Sequence, residues 1–204
     1  SGATDAEVVR ITTETREAFF ERNALKSIQT DLIDTWGVRV LVGKRQASVA
    51  TNDADHLDDA VTEGVRIARS SEEDPYAGFA RPVPVEQVPG LCDPRQVALT
   101  EVLDAAVALV EGARRIDRRV SVDSAGVTHS RHRIQIVSST GIAVEEETTS
   151  ASAFIFGMAA DEQEVSSFDY ASDEDVRWEA LAGRLAEQGE RFARAVLSAL
   201  GAQP

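Results

Sequence analysis

Cysteine is almost absent from this chain. Cys92 is the only one in 204 residues, so no disulfide can close within it, and a disulfide framework of the small secreted kind is excluded. Such usage agrees with a reducing compartment, and a cytoplasmic protein is expected. Long apolar runs are missing as well: none approaches the roughly 20 residues that cross a bilayer, and no charged-then-apolar signal segment opens the chain. Basic charge is scarce, with 21 Lys and Arg against 35 Asp and Glu, a net charge of −14. The averaged field repels phosphate backbones and anionic lipid, so neither direct nucleic-acid binding nor membrane association is expected. The glycines sit singly, without a P-loop or a G-x-G-x-x-G run, and no His-Glu-x-x-His pair occurs. Nucleotide binding and the commonest metal-hydrolase signature therefore lack support.

What is present is an ordinary globular composition, 43% hydrophobic and 27% charged, in a chain long enough to bury a real core. Trp36 to Asp53 is the stretch around which the rest is read. Val38, Val40 and Val42 alternate with Arg39 and Leu41, which reads as a well-buried strand carrying one charge. Gly43 then permits a tight turn over Val42–Arg45 into a second strand. This hairpin is expected at the centre of a sheet. Ala6 to Thr15 and Arg16 to Ile28 are rich in β-branched and aromatic residues and read as two earlier strands, so four antiparallel strands open the chain. Asp53 or Asp55 can cap a helix with Leu57, Ala60, Val61, Val65 and Ala68 on one stripe.

Ser70 to Pro94 holds five of the six prolines and reads as an extended connector, since proline fixes φ and removes donors. Its Tyr76, Phe79, Val83, Val85 and Leu91 are expected to pin it down. A second helix is predicted over 95–117, strands over 119–127, 131–138 and 142–160, an acidic loop over 161–175 and a last helix over 176–200. The order ββββα, linker, αβββα indicates an α+β fold of antiparallel sheets packed with long helices, in subdomains 3–72 and 95–200 joined by the Pro-rich connector 73–94.

Candidate chemistry is sparse. His129 and His132 have the i, i+3 spacing of ligands on a helix, but on a strand the rings face opposite sides, so they read as exposed strand or turn histidines. His56 reads as decoration at a helix start. Cys92 would need a base brought to it in space before it could act as a nucleophile. Glu145, Glu146 and Glu147, with Asp161, Glu162 and Glu164, read as charged protection of strand edges and not as a cation site. No catalytic, cofactor-binding or metal-ligating residue is assigned. The open strand edges can accept an extended peptide or another subunit.

Several short segments, in this order and spacing, resemble the N-terminal half of the TldD/PmbA family, the peptidases once named modulators of DNA gyrase. They are Ala6-Glu7-Val8, Trp36-Gly37-Val38-Arg39-Val40-Leu41-Val42, Ala50-Thr51-Asn52-Asp53 and the connector Glu73-Asp74-Pro75-Tyr76-Ala77-Gly78-Phe79. Ile116-Asp117-Arg118-Arg119-Val120 and Ser138-Ser139-Thr140-Gly141-Ile142 are similar to two further family segments, although an Asn-Ser is more common where Ser138-Ser139 stands. The family's usual N-terminal helix before the first strand is missing. Pro89-Gly90-Leu91-Cys92-Asp93-Pro94 looks more like the PmbA (TldE) branch. The resemblance implies a zinc-dependent peptidase assembly in which a TldD-like subunit pairs with a TldE/PmbA-like one, or the subunit with itself, around unfolded peptide. It also implies that the H-E-x-x-x-H zinc helix lies in the C-terminal half of a TldD-type chain, so no metal ligand carries over to these residues. Ser1-Gly2 reads as a cloning remnant and Gly201–Pro204 as a cut end, with the C-terminal domain absent. Two other readings follow from the same residues: an active TldD-type chain cut short, or a stand-alone dimerising or peptide-binding scaffold unrelated to proteolysis.

Overall fold

The computed structural model describes residues 2–162, 165–166 and 168–200. Six strands form one antiparallel sheet in the order β3-β2-β1-β4-β5-β6. They are β1 (Asp5–Glu21), β2 (Ala24–Val42), β3 (Arg45–Thr51), β4 (Val120–Ser138), β5 (Ala143–Ala159) and β6 (Asp169–Asp175). The helices are α1 (Leu57–Ser70), α2 (Leu99–Ile116), α3 (Trp178–Ala182) and α4 (Leu185–Leu200). The mixed antiparallel class is the expected one. The details differ at five places.

Three strands, not four, precede α1, because the chain reverses at Arg22–Asn23 and not near Arg16. Both turn residues have positive φ, 52° and 64°, the pattern of a type I′ hairpin turn. Asn23 holds it: its backbone N–H donates to the Val122 carbonyl at 2.9 Å, and its side-chain oxygen accepts from Val122 N–H at 2.8 Å. The β2–β3 hairpin has the predicted turn, with Gly43 at φ 64°, but it lies at the rim and not at the centre. β3 is an outer strand, and β1 and β4 occupy the middle. β4 is one continuous strand through Gly126, where a Cβ would meet the Phe154 ring at 2.6 Å. That glycine serves close packing and not a break. The acidic stretch 161–175 contains β6, and the last helix is interrupted at Gly183–Arg184 between α3 and α4.

The contact pattern divides the chain into two units. Unit 1 comprises 1–13, 32–89 and 132–147; here α1 buries Ala60, Val65 and Ala68 against Val38, Val40 and Ala47. Asp53 caps the turn before α1, accepting from Asp55 N–H at 2.9 Å. The connector is held at a few points. Ala77 is buried, Lys44 donates to its carbonyl at 2.9 Å, and Phe79 stacks at 4.8 Å on Arg39. Contrary to expectation, Tyr76 is 92% exposed and Val83 and Val85 are exposed too. Proline-fixed extended backbone leaves them no surface to pack on.

Unit 2 comprises 14–31, 90–131 and 148–204 and holds the larger core. α2 and α4 pack through reciprocal glycines: a Cβ on Gly112 would collide with the Ala186 carbonyl, and one on Gly189 with the Leu109 carbonyl. Leu109, Leu181, Leu185, Phe192 and Ile155 are fully buried around them.

Candidate functional site

The densest polar cluster in unit 2 is built where the connector ends. Asp93 stands at its centre. One carboxylate oxygen accepts from Arg95 N–H and the other from Trp178 N–H, each at 3.0 Å, while Asp93 N–H donates to Thr149 Oγ1 at 2.7 Å. Thr149 Oγ1 donates in turn to the Val176 carbonyl at 2.9 Å. Arg131, from β4, donates to the carbonyls of Asp93 and Arg95, both at 2.9 Å. The Arg95 N–H holds the Asp93 carboxyl below its ordinary range, helped by the Trp178 N–H and the positive charge of Arg95. Charged acceptors on backbone donors are the stronger kind of hydrogen bond, so this cluster fastens segment 91–95 to β4, β5 and the start of α3.

The predicted candidates are partly brought together here. Cys92 Sγ lies 3.6 Å from Arg131 Nη1, and His129 is nearby in the same unit, 1% exposed and edge-on to Trp178 at 5.8 Å. The expectation of an exposed histidine fails for His129: Ala125, Val127 and His129 alternate onto the buried face of β4. Among the described residues neither of its ring nitrogens has a hydrogen-bond partner. Burial, then the charges of Arg131 and Arg16, push its pKa below 6.5, so the ring is neutral. His132, three residues on, bonds instead through Nδ1 to Thr13 Oγ1 at 3.1 Å, and His56 to Asp53 at 2.9 Å. The spacing of the His129–His132 pair was legible; the burial of one member was not.

Three of the acidic residues are engaged with arginine. Glu145 and Glu147 lie 2.8 and 3.6 Å from Arg133, and Asp161 lies 3.7 Å from Arg119. Glu164 falls outside the described residues. Among the described residues no group of three or more His, Cys, Asp or Glu is placed to hold a metal ion.

Unit 1 carries a trough that sequence reasoning missed. Glu7, Val9, Gly37, Arg39, Ser48 and Ala50 line a cavity of about 380 Å³. Gly37 faces Ala50 and Arg39 faces Ser48 across the β2–β3 ladder. These positions alternate with Val38, Val40 and Ala47, which pack on α1, so they belong to the other sheet face. At one side Glu7, only 9% exposed, accepts from Arg39 at 2.8 Å. The signal was a run of small residues opposite one another, visible only once the register is known.

Two family models match in succession: the PmbA/TldA metallopeptidase domain 1 over residues 6–68, and the PmbA/TldA metallopeptidase central domain over 92–199. No curated protein matches in sequence. Among solved structures, TldE from Thermococcus kodakarensis superposes with a TM-score of 0.81 at 15% identity, over 94% of this chain and 44% of that one. A proposed modulator of a DNA gyrase from Thermotoga maritima gives 0.82 at 16%, over 98% of this chain and 45% of that one. A similar protein from Bacteroides thetaiotaomicron gives 0.81 at 17%, over 99% and 47%. The chain thus spans less than half the length of these structures, and at such identities the likeness speaks for the fold. The family follows from the two sequence models, the second of which alone spans more than half of the chain: this is the N-terminal region of a member of the TldD/PmbA metallopeptidase family.

Proposed function

We propose that this chain is the N-terminal, non-catalytic part of a TldE/PmbA-like subunit in a cytoplasmic zinc peptidase that processes unfolded peptides. In this reading it pairs with a TldD-like subunit or with a second copy, and zinc is held outside these residues by a TldD-type partner. The observation that carries it is the dispersal of the chain's three histidines: among the described residues no three His, Cys, Asp or Glu are placed to share a metal ion. His129 is packed against Trp178, His132 bonds to Thr13 and His56 bonds to Asp53. A zinc site needs three or four deprotonated N, S or O donors converging on one point, and these rings do not converge. The segment Pro89–Pro94, which looks more like the PmbA (TldE) branch, supports the TldE side. The test is metal analysis and peptide hydrolysis on the purified chain, alone and mixed with a TldD-type subunit. Cleavage is expected only in the mixture. Zinc at one equivalent with cleavage by the chain alone would instead establish the truncated TldD-type reading.

A further inference from the structure

We infer that the open part of the β3 edge, with the trough behind it, docks an extended peptide that seats one uncharged apolar side chain over Gly37 and Ala50. This rests on the peptide-handling reading above and gives it a place and a chemistry.

The backbone supplies the first argument. Val42 and Arg45 flank a two-residue turn and form a hydrogen-bonded pair, and such pairs recur at Val40↔Ala47 and Val38↔Val49. The N–H and C=O groups of Gln46, Ser48 and Ala50 therefore point away from β2. The chain itself already uses the start of this edge as a template: Glu73 bridges antiparallel to Arg45, and Asp74 N–H donates to the Lys44 carbonyl at 2.9 Å. Segment 73–74 stops there, and Ser48 and Ala50 lie beyond it, both exposed.

The side chains supply the second. An added strand places alternate residues on each sheet face, and on the trough side the nearest wall is Gly37, Ala50 and Val9. A Cβ built on Gly37 has no neighbour closer than the Val9 carbonyl oxygen at 3.9 Å, so the space is real and an apolar group can occupy it. Charge supplies the third. In a chain of net charge −14, the two ionised groups lining the trough, Glu7 and Arg39, cancel one another. A neutral, apolar-walled slot admits an uncharged side chain and rejects a desolvated ion.

The probe is acetyl-Thr-Val-Leu-Val-Thr-amide, titrated against this chain and read by amide NMR shifts. Shifts are expected at Ser48, Ala50 and Gly37. Replacing the central Leu of the peptide by Lys, or Gly37→Leu in the protein, is expected to weaken binding by about tenfold or more, the loss of one buried apolar side chain. Of two peptides N-methylated on alternate residues, one should lose binding and the other keep it. Should Gly37→Leu fail to fold, Ala50→Leu fills the same trough. The inference is overturned if the peptide causes no shift at millimolar concentration, if shifts centre on another strand, or if the filled variant binds as tightly as the parent. Those results leave the subunit assignment standing, and a failed zinc or mixing experiment leaves this edge untouched, so the two readings fail separately.

Discussion

The two outer strands of the sheet treat an exposed edge in opposite ways. On β6 the outward N–H groups of Tyr170 and Glu174 are taken by the carboxylates of the residues just before them, Asp169 at 2.8 Å and Asp173 at 2.9 Å. Arg184 then clamps Asp173 through two bonds, at 2.9 and 3.0 Å, and reaches Asp175 at 3.1 Å. An incoming strand finds two of its partners already used and meets surplus negative charge, which is edge protection in the usual sense. On β3 the connector covers only the first residue, and among the described residues no carboxylate folds back on Ser48 or Ala50. Availability for pairing is thus decided by whether outward amides are satisfied locally, and a count of charged residues along the strand would not reveal it.

The sharpest way to break this comparison is one substitution at two glycines. Gly189→Val drives a branched side chain into the Leu109 carbonyl of α2 and is expected to cost about 3 kcal/mol or more, the upper range for overpacking. Gly37→Val enters the trough and should stay within about 0.5 kcal/mol. Urea denaturation of both variants checks this; a comparable loss at Gly37 would mean that the trough is not free space. The next effect in size separates the edges themselves. Arg184→Met leaves Asp173 and Asp175 without their cation and is expected to cost about 1–2 kcal/mol, because a bidentate, partly shielded pair exceeds an exposed one. Arg45→Met removes a single long contact to Glu73 at 3.4 Å and a hydrogen bond to the Ser71 carbonyl, and should cost less, about 0.5–1 kcal/mol. If the two losses are equal, the β3 edge is held as firmly as β6.

Much of this was legible from residues. The period-two pattern of Val38, Val40 and Val42, the stripe of α1 and the broad apolar face of α2 are local signals, and they gave the right elements. What failed was non-local. Arg22–Asn23 carries no glycine, so the type I′ turn is invisible until β4 supplies the Val122 bonds that hold it. Gly126 resembles a strand break but answers to the Phe154 ring of a neighbouring strand. The hairpin at Gly43 reads as central because strands can pair on both of its sides, whereas sheet order depends on which strands cross over. β6 was hidden by its composition: Asp169, Asp173 and Asp175 oppose strand propensity and are tolerated because they cap the edge and meet Arg184. For the candidate site, the segment Pro89–Pro94 was flagged, but Asp93 as its organising residue, the burial of His129 and the small-residue trough all required the tertiary register.

A smaller effect lies inside unit 2. The side-chain amide of Gln188 on α4 is buried, and among the described residues neither its nitrogen nor its oxygen has a partner. Exchanging it for an apolar side chain of similar length removes an unmet desolvation cost. Gln188→Met is therefore expected to raise stability by about 1 kcal/mol in the same urea experiment, and a decrease would show that the amide is satisfied.

The last effect vanishes at neutral pH and tells the two units apart by acid. The folded-state pKa of His129 lies below its ordinary 6.5, owing to burial and then to Arg131 and Arg16, while Asp93 and Glu14 pull weakly the other way. The unfolded chain therefore binds the proton first. The stability that the neutral, buried ring permits is complete above pH 6.5 and is lost as the pH falls below it. The carboxylates of Asp93, Asp173 and Asp175 are depressed below 3.8 by the Arg95 N–H, by Arg184 and by the Arg177 N–H respectively. Their contributions persist above that value and are lost only in stronger acid, so the two windows do not coincide. Replacing the ring by one that cannot be protonated, His129→Phe, should flatten the decline just below pH 6.5 and leave the steeper one below pH 4 in place. Followed by NMR, the Trp178 indole should report the first transition while the Ser48 and Ala50 amides stay unmoved. Ser48 and Ala50 shifting together with Trp178 at that pH would mean that the open edge responds to the same proton as the buried histidine.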